Sequence, residues 1–199
     1  MKKFTFILVI AILTQAGTLF SQVTDIETVD FTAILEDVLN LNILAGGAQT
    51  VTFDTPDEYN NGVGVPDIGE TTITVESTTD WNLTVTAADL TRLGGGAIIP
   101  IDNVGIYLEA TGVHTIGGEC SSAFTSAATA CGITNAAQTI IGSNGNAGDA
   151  ADNAFTIFWA MGTQTGSMNG ASIFEQLSDG TIAQVGTFNT TVNFTVTAE

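Results

Sequence analysis

Basic side chains are nearly absent from this chain. Of its 199 residues only Lys2, Lys3 and Arg92 are Lys or Arg, against 21 Asp and Glu. Nucleic-acid binding needs a cationic surface to neutralise phosphates, and anionic lipid head groups ask for the same, so neither is an expected partner. Histidine is as scarce, with His114 alone. A Ser-His-Asp arrangement would have to be built on it, and no Gly-x-Ser-x-Gly elbow accompanies it in the surrounding VHTIGGE. A zinc site made of several His or Cys ligands is out of reach for the same reason. The reading is therefore non-enzymatic, with no catalytic residue assigned.

Cysteine occurs only twice, as Cys120 and Cys131, and proline three times. No Cys-x-x-Cys redox spacing is present. In an exported chain the pair reads as one structural disulfide, worth on the order of 3 kcal/mol if loop-closure entropy governs. Export is itself an expectation from the N-terminus. Lys2 and Lys3 precede the short apolar run Phe4–Leu13, and Ser21 offers a small residue for cleavage before Gln22. The run is too short to span a bilayer comfortably, so no stable membrane insertion is expected once residues 1–21 are removed. The destination implied is the periplasm, the cell surface or the medium, in a bacterial and Gram-negative setting. Beyond residue 21, Arg92 stands alone against all 21 acids, a net charge of −20.

What is present is β-forming material: 44% hydrophobic residues and only 12% charged ones, with Thr, Asn, Ser and Gly supplying the surface. Period-two alternation marks Val38–Ile43, Gln49–Phe53, Thr71–Val75 and Asp80–Ala87. Ala97–Glu109 reads as a further extended stretch. Phe155–Met161 is apolar on both faces, as in a strand buried on two sides. The clearest alternation is the last. Over Thr187–Ala198, Phe188, Val192, Phe194 and Val196 share one face, and Thr and Asn fill the other. A helix is expected only over Phe31–Leu39. Together these predict an all-β fold, an immunoglobulin-like antiparallel sandwich over residues 38–199, preceded by an arm over 22–37. Residues 112–153, rich in Gly, Ala and Ser, read as a disulfide-pinned, loop-rich insertion with one short strand at Gln138–Ile141.

Two acidic clusters make calcium a candidate cofactor, since hard oxygen ligands are plentiful in both. Asp54, Asp57, Glu58, Asp67 and Glu70 surround the first long turn; Asn144, Asn146, Asp149, Asp152 and Asn153 form the second. Neither follows the EF-hand spacing, and Asp and Asn also populate turns by bonding their own backbone. A carboxylate pair for glycoside hydrolysis is not singled out by any local pattern. Trp81 and Trp159 both sit on apolar strand faces, where packing is the expected role.

Trp81-Asn82-Leu83 followed by Thr84-Val85-Thr86 resembles the Trp-x-Leu segment of bacterial surface domains of the WxL type. The ending Val185-Gly186-Thr187-Phe188 through Val196 resembles the closing strand of fimbrial and spore-coat-like domains. The overall pattern is similar to exported proteins of the Bacteroidetes group. The resemblance implies an immunoglobulin-like sandwich used in cell-surface structures. The chain departs from the WxL type in lacking a basic surface for anionic wall polymers.

Two functions follow as expectations. The first is a surface or filament subunit assembling by β-strand addition, with itself or other surface proteins as partner. The arm side chains Val23, Ile26, Val29 and Phe31 and the closing-strand side chains Phe188, Val192, Phe194 and Val196 would carry that pairing. The second is a monomeric adhesion module recognising a glycan or protein through residues 112–153.

Overall fold

A computed structural model describes residues 30–64, 67–114, 130–162 and 168–199. The chain divides into two units, Met1–Leu35 and Glu36–Glu199, and every strand belongs to the second. The expected leader (1–21), and Val23, Ile26 and Val29 of the arm, lie outside the described residues. So do Cys120 and Pro66. No helix among the described residues is long and apolar enough to cross a membrane.

The protein is mostly β, and all its sheets are antiparallel. One sheet holds β1 (Leu39–Ala45), β2 (Glu70–Ser77), β9 (Ala154–Met161), β6 (Val104–Ala110) and β7 (Cys131–Gly132), in that spatial order. A second holds β11 (Val192–Ala198), β3 (Trp81–Ala87) and β8 (Gln138–Gly145), in that order. A small third sheet is formed by β10 (Phe188–Asn189), β4 (Leu90–Arg92) and β5 (Ile98–Ile99).

The core lies between the first two sheets and follows the predicted alternation. On β3, Trp81, Leu83, Val85 and Ala87 are buried, and Asn82, Thr84 and Thr86 are half-buried on the other face. Ile73 and Val75 of β2 and Phe155 and Ile157 of β9 meet them from the opposite sheet. Trp159 of β9 and Phe194 of β11 touch edge to face, ring centroids 6.3 Å apart, joining the two layers. β9 is central in its sheet and buried on both faces, as its unbroken apolar run implies.

Four expectations are corrected. The closing strand is not continuous. Phe188 and Asn189 pair with Arg92 and Thr91 in the small sheet, whereas Val192–Ala198 pair with Ala87–Trp81. Between those pairings three residues, 88–90, oppose two, Thr190 and Thr191. This bulge bends the ribbon, and the Thr190 hydroxyl donates to Ala88 O at 2.8 Å across it. Second, Phe31–Leu39 forms no helix: residues 30–38 have no regular structure, and Leu39 opens β1. A helix there would place Glu36 and Asp37 at its negative end. Third, Gln49–Phe53 is not a strand. Gly46 turns the chain at φ +69, and the Gln49 amide bonds Gly46 O, Glu70 O and the Thr71 hydroxyl in place of a ladder. Val51 and Phe53 still pack on the core. Fourth, the short strand expected at Gln138–Ile141 runs on to Gly145: this is β8, which completes the second sheet beside β3.

Two short helices went unforeseen. α1 (Pro56–Asn61) is started by a capping box in which the Thr55 hydroxyl accepts from Glu58 N and the Glu58 carboxylate accepts from Thr55 N. α2 (Ile173–Asp179) has the same device in Ser172 and Glu175, and Gly180 ends it in the left-handed region at φ +86. The turn-forming pair Asp179-Gly180 is this helix's C-terminus. α2 is anchored by a buried amide pair: Asn103 Nδ2 donates to Gln176 Oε1 at 2.9 Å, and Gln176 Nε2 to Asn103 Oδ1 at 2.6 Å.

Candidate assembly edge

The inward-facing side chains are not equally buried across the sandwich. On β3 they are 0–3% exposed. On β1, at the edge of the five-stranded sheet, Leu39, Leu41 and Ile43 point the same way as Ser77, Val75 and Ile73, their direct partners on β2. Yet Ile43 is 50% exposed, and Leu39 37%. On β11, at the edge of the second sheet, Val192, Phe194 and Val196 are only half-buried although they pack on the core. β1 and β11 lie beside each other, so both layers thin out along one side of the sandwich.

The backbone along this side is also without a paired strand among the described residues. Glu199 N donates to Asp80 O at 2.9 Å, which sets the antiparallel phase of β11 on β3. Alternation then directs the N–H and C=O groups of Thr197, Thr195 and Asn193 toward β3, and those of Val192, Phe194, Val196 and Ala198 away from it. Ala87 N, opposite Val192, accordingly bonds Thr134 O on the far side of β3. For β1, Thr78 N donates to Val38 O at 3.0 Å, so the groups of Leu39, Leu41 and Ile43 point outward by the same rule. Among the described residues no strand pairs with either outer edge. Neither edge carries a charge: none occurs from Val38 to Phe53 or from Thr187 to Ala198. Exposed edges ordinarily use charge, proline or bulges to prevent joining; here there is neither charge nor proline, only an irregularity at Ile43/Ala45 on β1 and the bulge between β10 and β11.

The first unit adds exposed apolar material of its own. Phe31, Ile34 and Leu35 are 89%, 82% and 90% exposed. Of the residues expected to pair, Phe31 is thus exposed, and Phe188, Val192, Phe194 and Val196 are half-buried on edge strands.

The acidic clusters do different work. Asp57 Oδ1 accepts from Asn61 Nδ2 across α1, and Asp54 N–H and Thr55 N–H both donate to Glu58 Oε2. Those two backbone donors hold the Glu58 carboxyl below its ordinary range. Asp149 Oδ1 accepts from Ala151 N and Asp152 N, and Asp152 Oδ2 accepts from Asp149 N, a self-contained turn. Asp67 N–H donates to Gly64 O. Among the described residues no three His, Cys, Asp or Glu side chains converge as metal ligands.

His114 is held rather than freely solvated. Its Nδ1 lies 2.9 Å from Asn153 Oδ1 and its backbone N–H donates to Asp152 O. Asn153, buried, donates to Asn146 O, which also accepts from the Trp81 indole at 2.9 Å. The histidine thus closes a network that ties the 146–153 turn to β3. On the outer face of the five-stranded sheet, Tyr107 and Phe158 stack with centroids 4.7 Å apart. Burial, then the carboxylates of Glu109 and Glu70, push the Tyr107 phenol up. A shallow groove of about 410 Å³, lined by Thr91, Gly96, Ile98, Thr181 and Ala183 among others, contains no ionisable side chain.

No protein-family model matches the chain, and no curated protein is significantly similar to it. The functional reading rests on its own geometry.

Proposed function

We propose that this protein is an exported, non-enzymatic cell-surface subunit of immunoglobulin-like architecture that assembles by β-strand addition. One observation carries the reading: among the described residues, the side of the sandwich where β1 and β11 lie together leaves its inward-facing Leu39, Ile43 and Phe194 incompletely covered and its outward backbone without a paired strand. A strand added there gains backbone hydrogen bonds along the edge and buries apolar side chains at the same time. The donor is the arm of a second copy, whose Phe31, Ile34 and Leu35 are exposed. A Cys120–Cys131 disulfide belongs to the same reading. It is supported by Cys131 being buried on β7 and by the lack of a free cysteine among the described residues.

Deletion of residues 23–35 tests this. The intact protein should run as oligomers by size-exclusion chromatography and form filaments in negative-stain electron microscopy, and the deletion variant should remain monomeric and folded. A synthetic peptide of residues 23–37 should bind the deletion variant, and a scrambled peptide should not. Intact protein that is monomeric at all concentrations would sink the reading.

A further inference from the structure

Arg92 is the only cation beyond residue 3, in a chain with 21 carboxylate side chains. Random placement on such a surface would set it against an acid. Instead its one side-chain hydrogen bond runs from Nε to the backbone carbonyl of Val185 at 3.2 Å. No carboxylate pairs with it among the described residues. The stem is held in place from both ends. Arg92 N–H donates to Ala97 O within the small sheet, and its direct partner across the ladder is Phe188. Gly186 lies under the side chain so closely that a Cβ there would come within 2.5 Å of Nε. The guanidinium is therefore mounted with Nε occupied and its two terminal nitrogens without a partner among the described residues, beside Val185, which is 62% exposed. A fixed guanidinium with two free donors side by side matches a carboxylate.

We infer that Arg92 is an interface residue that receives a carboxylate from the acidic segment Asp25–Asp37 of a second copy. The inference rests on the strand-addition reading. Three observations select the occupant. That segment holds Asp25, Glu27, Asp30, Glu36 and Asp37 and no cation, so its charge is complementary to Arg92. Every other Lys, Arg, Asp or Glu of the body is an acid, so Arg92 is the one fixed cation an acidic peptide strand can meet there. Position agrees as well: β10 and β11 form one bent edge, and Arg92 sits on β4 one strand inside it, opposite Phe188 of β10, within a long side chain's reach of a segment laid along that edge.

The test is a double-mutant cycle on self-association, measured by sedimentation velocity. Arg92→Gln should weaken association at least about tenfold, the scale of one hydrogen bond to a charged group. In a background with the five acids changed to their amides, the same substitution should have no effect. Arg92→Lys, which keeps the charge and loses the fork, should fall between. Thermal melts establish that each variant is folded, and Arg92→Lys replaces Arg92→Gln as the probe should the latter not fold. Association unchanged by Arg92→Gln, or by Arg92→Lys where it is the probe, overturns the inference and leaves strand addition standing. A loss that persists undiminished in the amide background also overturns it, because the partner carboxylate is then elsewhere. Wild-type protein that never self-associates overturns both.

Discussion

Asn103 and Gln176 show how much one buried contact can decide. Both are essentially without solvent contact, and each amide is satisfied twice over: by the other, and by Pro100 O for Asn103 and Ala171 O for Gln176. Removing one member leaves buried donors and acceptors with no water to replace it, a cost of about 1–3 kcal/mol beyond lost packing. Gln176→Ala should therefore lower stability by roughly 2–4 kcal/mol in urea unfolding, cavity included. Replacing both residues by Leu should cost less than twice that, because no orphaned polar group remains. No spacing in the sequence announces this pair, since the residues lie 73 apart and neither belongs to a motif. His114 is a similar case: its lone occurrence argued only against catalysis, and its actual partner, Asn153, was read as part of an acidic turn.

At the scale of elements, two carboxylates at helix ends, Glu58 in the first turn of α1 and Asp179 in the last turn of α2, make a prediction about pH. Backbone donors from Asp54 and Thr55 hold Glu58 below its usual value, and the Thr181 N–H does the same for Asp179. A carboxyl whose folded pKa is depressed contributes stability that is present above its unfolded pKa and is lost as pH falls through the folded one. The loss should thus begin as pH drops into the ordinary carboxylate range near 4.5 for Glu and 3.8 for Asp, and continue below it. Glu58→Gln keeps the capping acceptor and removes the titration, so its stability should fall less steeply than wild type across that window in pH-dependent thermal melts. Both caps were legible in principle: Thr55-x-x-Glu58 and Ser172-x-x-Glu175 have the capping-box spacing. They were obscured by the turn-forming Pro, Asn and Gly around them. The strands β3 and β9 were read correctly because their alternation or unbroken apolarity reflects burial directly. The closing strand was read as too long, because a bulge changes pairing partners without interrupting the alternation.

For the molecule as a whole, charge opposes the proposed assembly. From residue 22 onward each copy carries −20, so two copies repel, while the β1 and β11 edges proposed to receive a strand are uncharged. Screening removes the repulsion and leaves the edge contact. Self-association should therefore strengthen as salt rises from 0.01 to 0.15 M and the Debye length contracts from about 30 to about 8 Å. Sedimentation velocity across that series checks it. Association that weakens steadily with salt would mean that ion pairs, not strand addition, dominate the contact.

The all-β class, the inward set of β3 and the two-sided burial of β9 were determined locally. Period-two patterning reports which face of a strand meets a core, whatever the rest of the chain does. What patterning does not encode is a strand's neighbour. A central strand and an edge strand with one apolar face look alike in sequence, and Leu39–Ile43 and Val192–Ala198 alternate as Trp81–Ala87 does. Only the assembled sheets decide that β1 and β11 are edges lying side by side, that β8 closes the second sheet from within a stretch that reads as loop-rich, and that Arg92 bonds a backbone carbonyl and meets no acid among the described residues. The reason is physical: sheet hydrogen bonds join residues far apart in the chain, and their order is set by how the whole core closes rather than by any local preference.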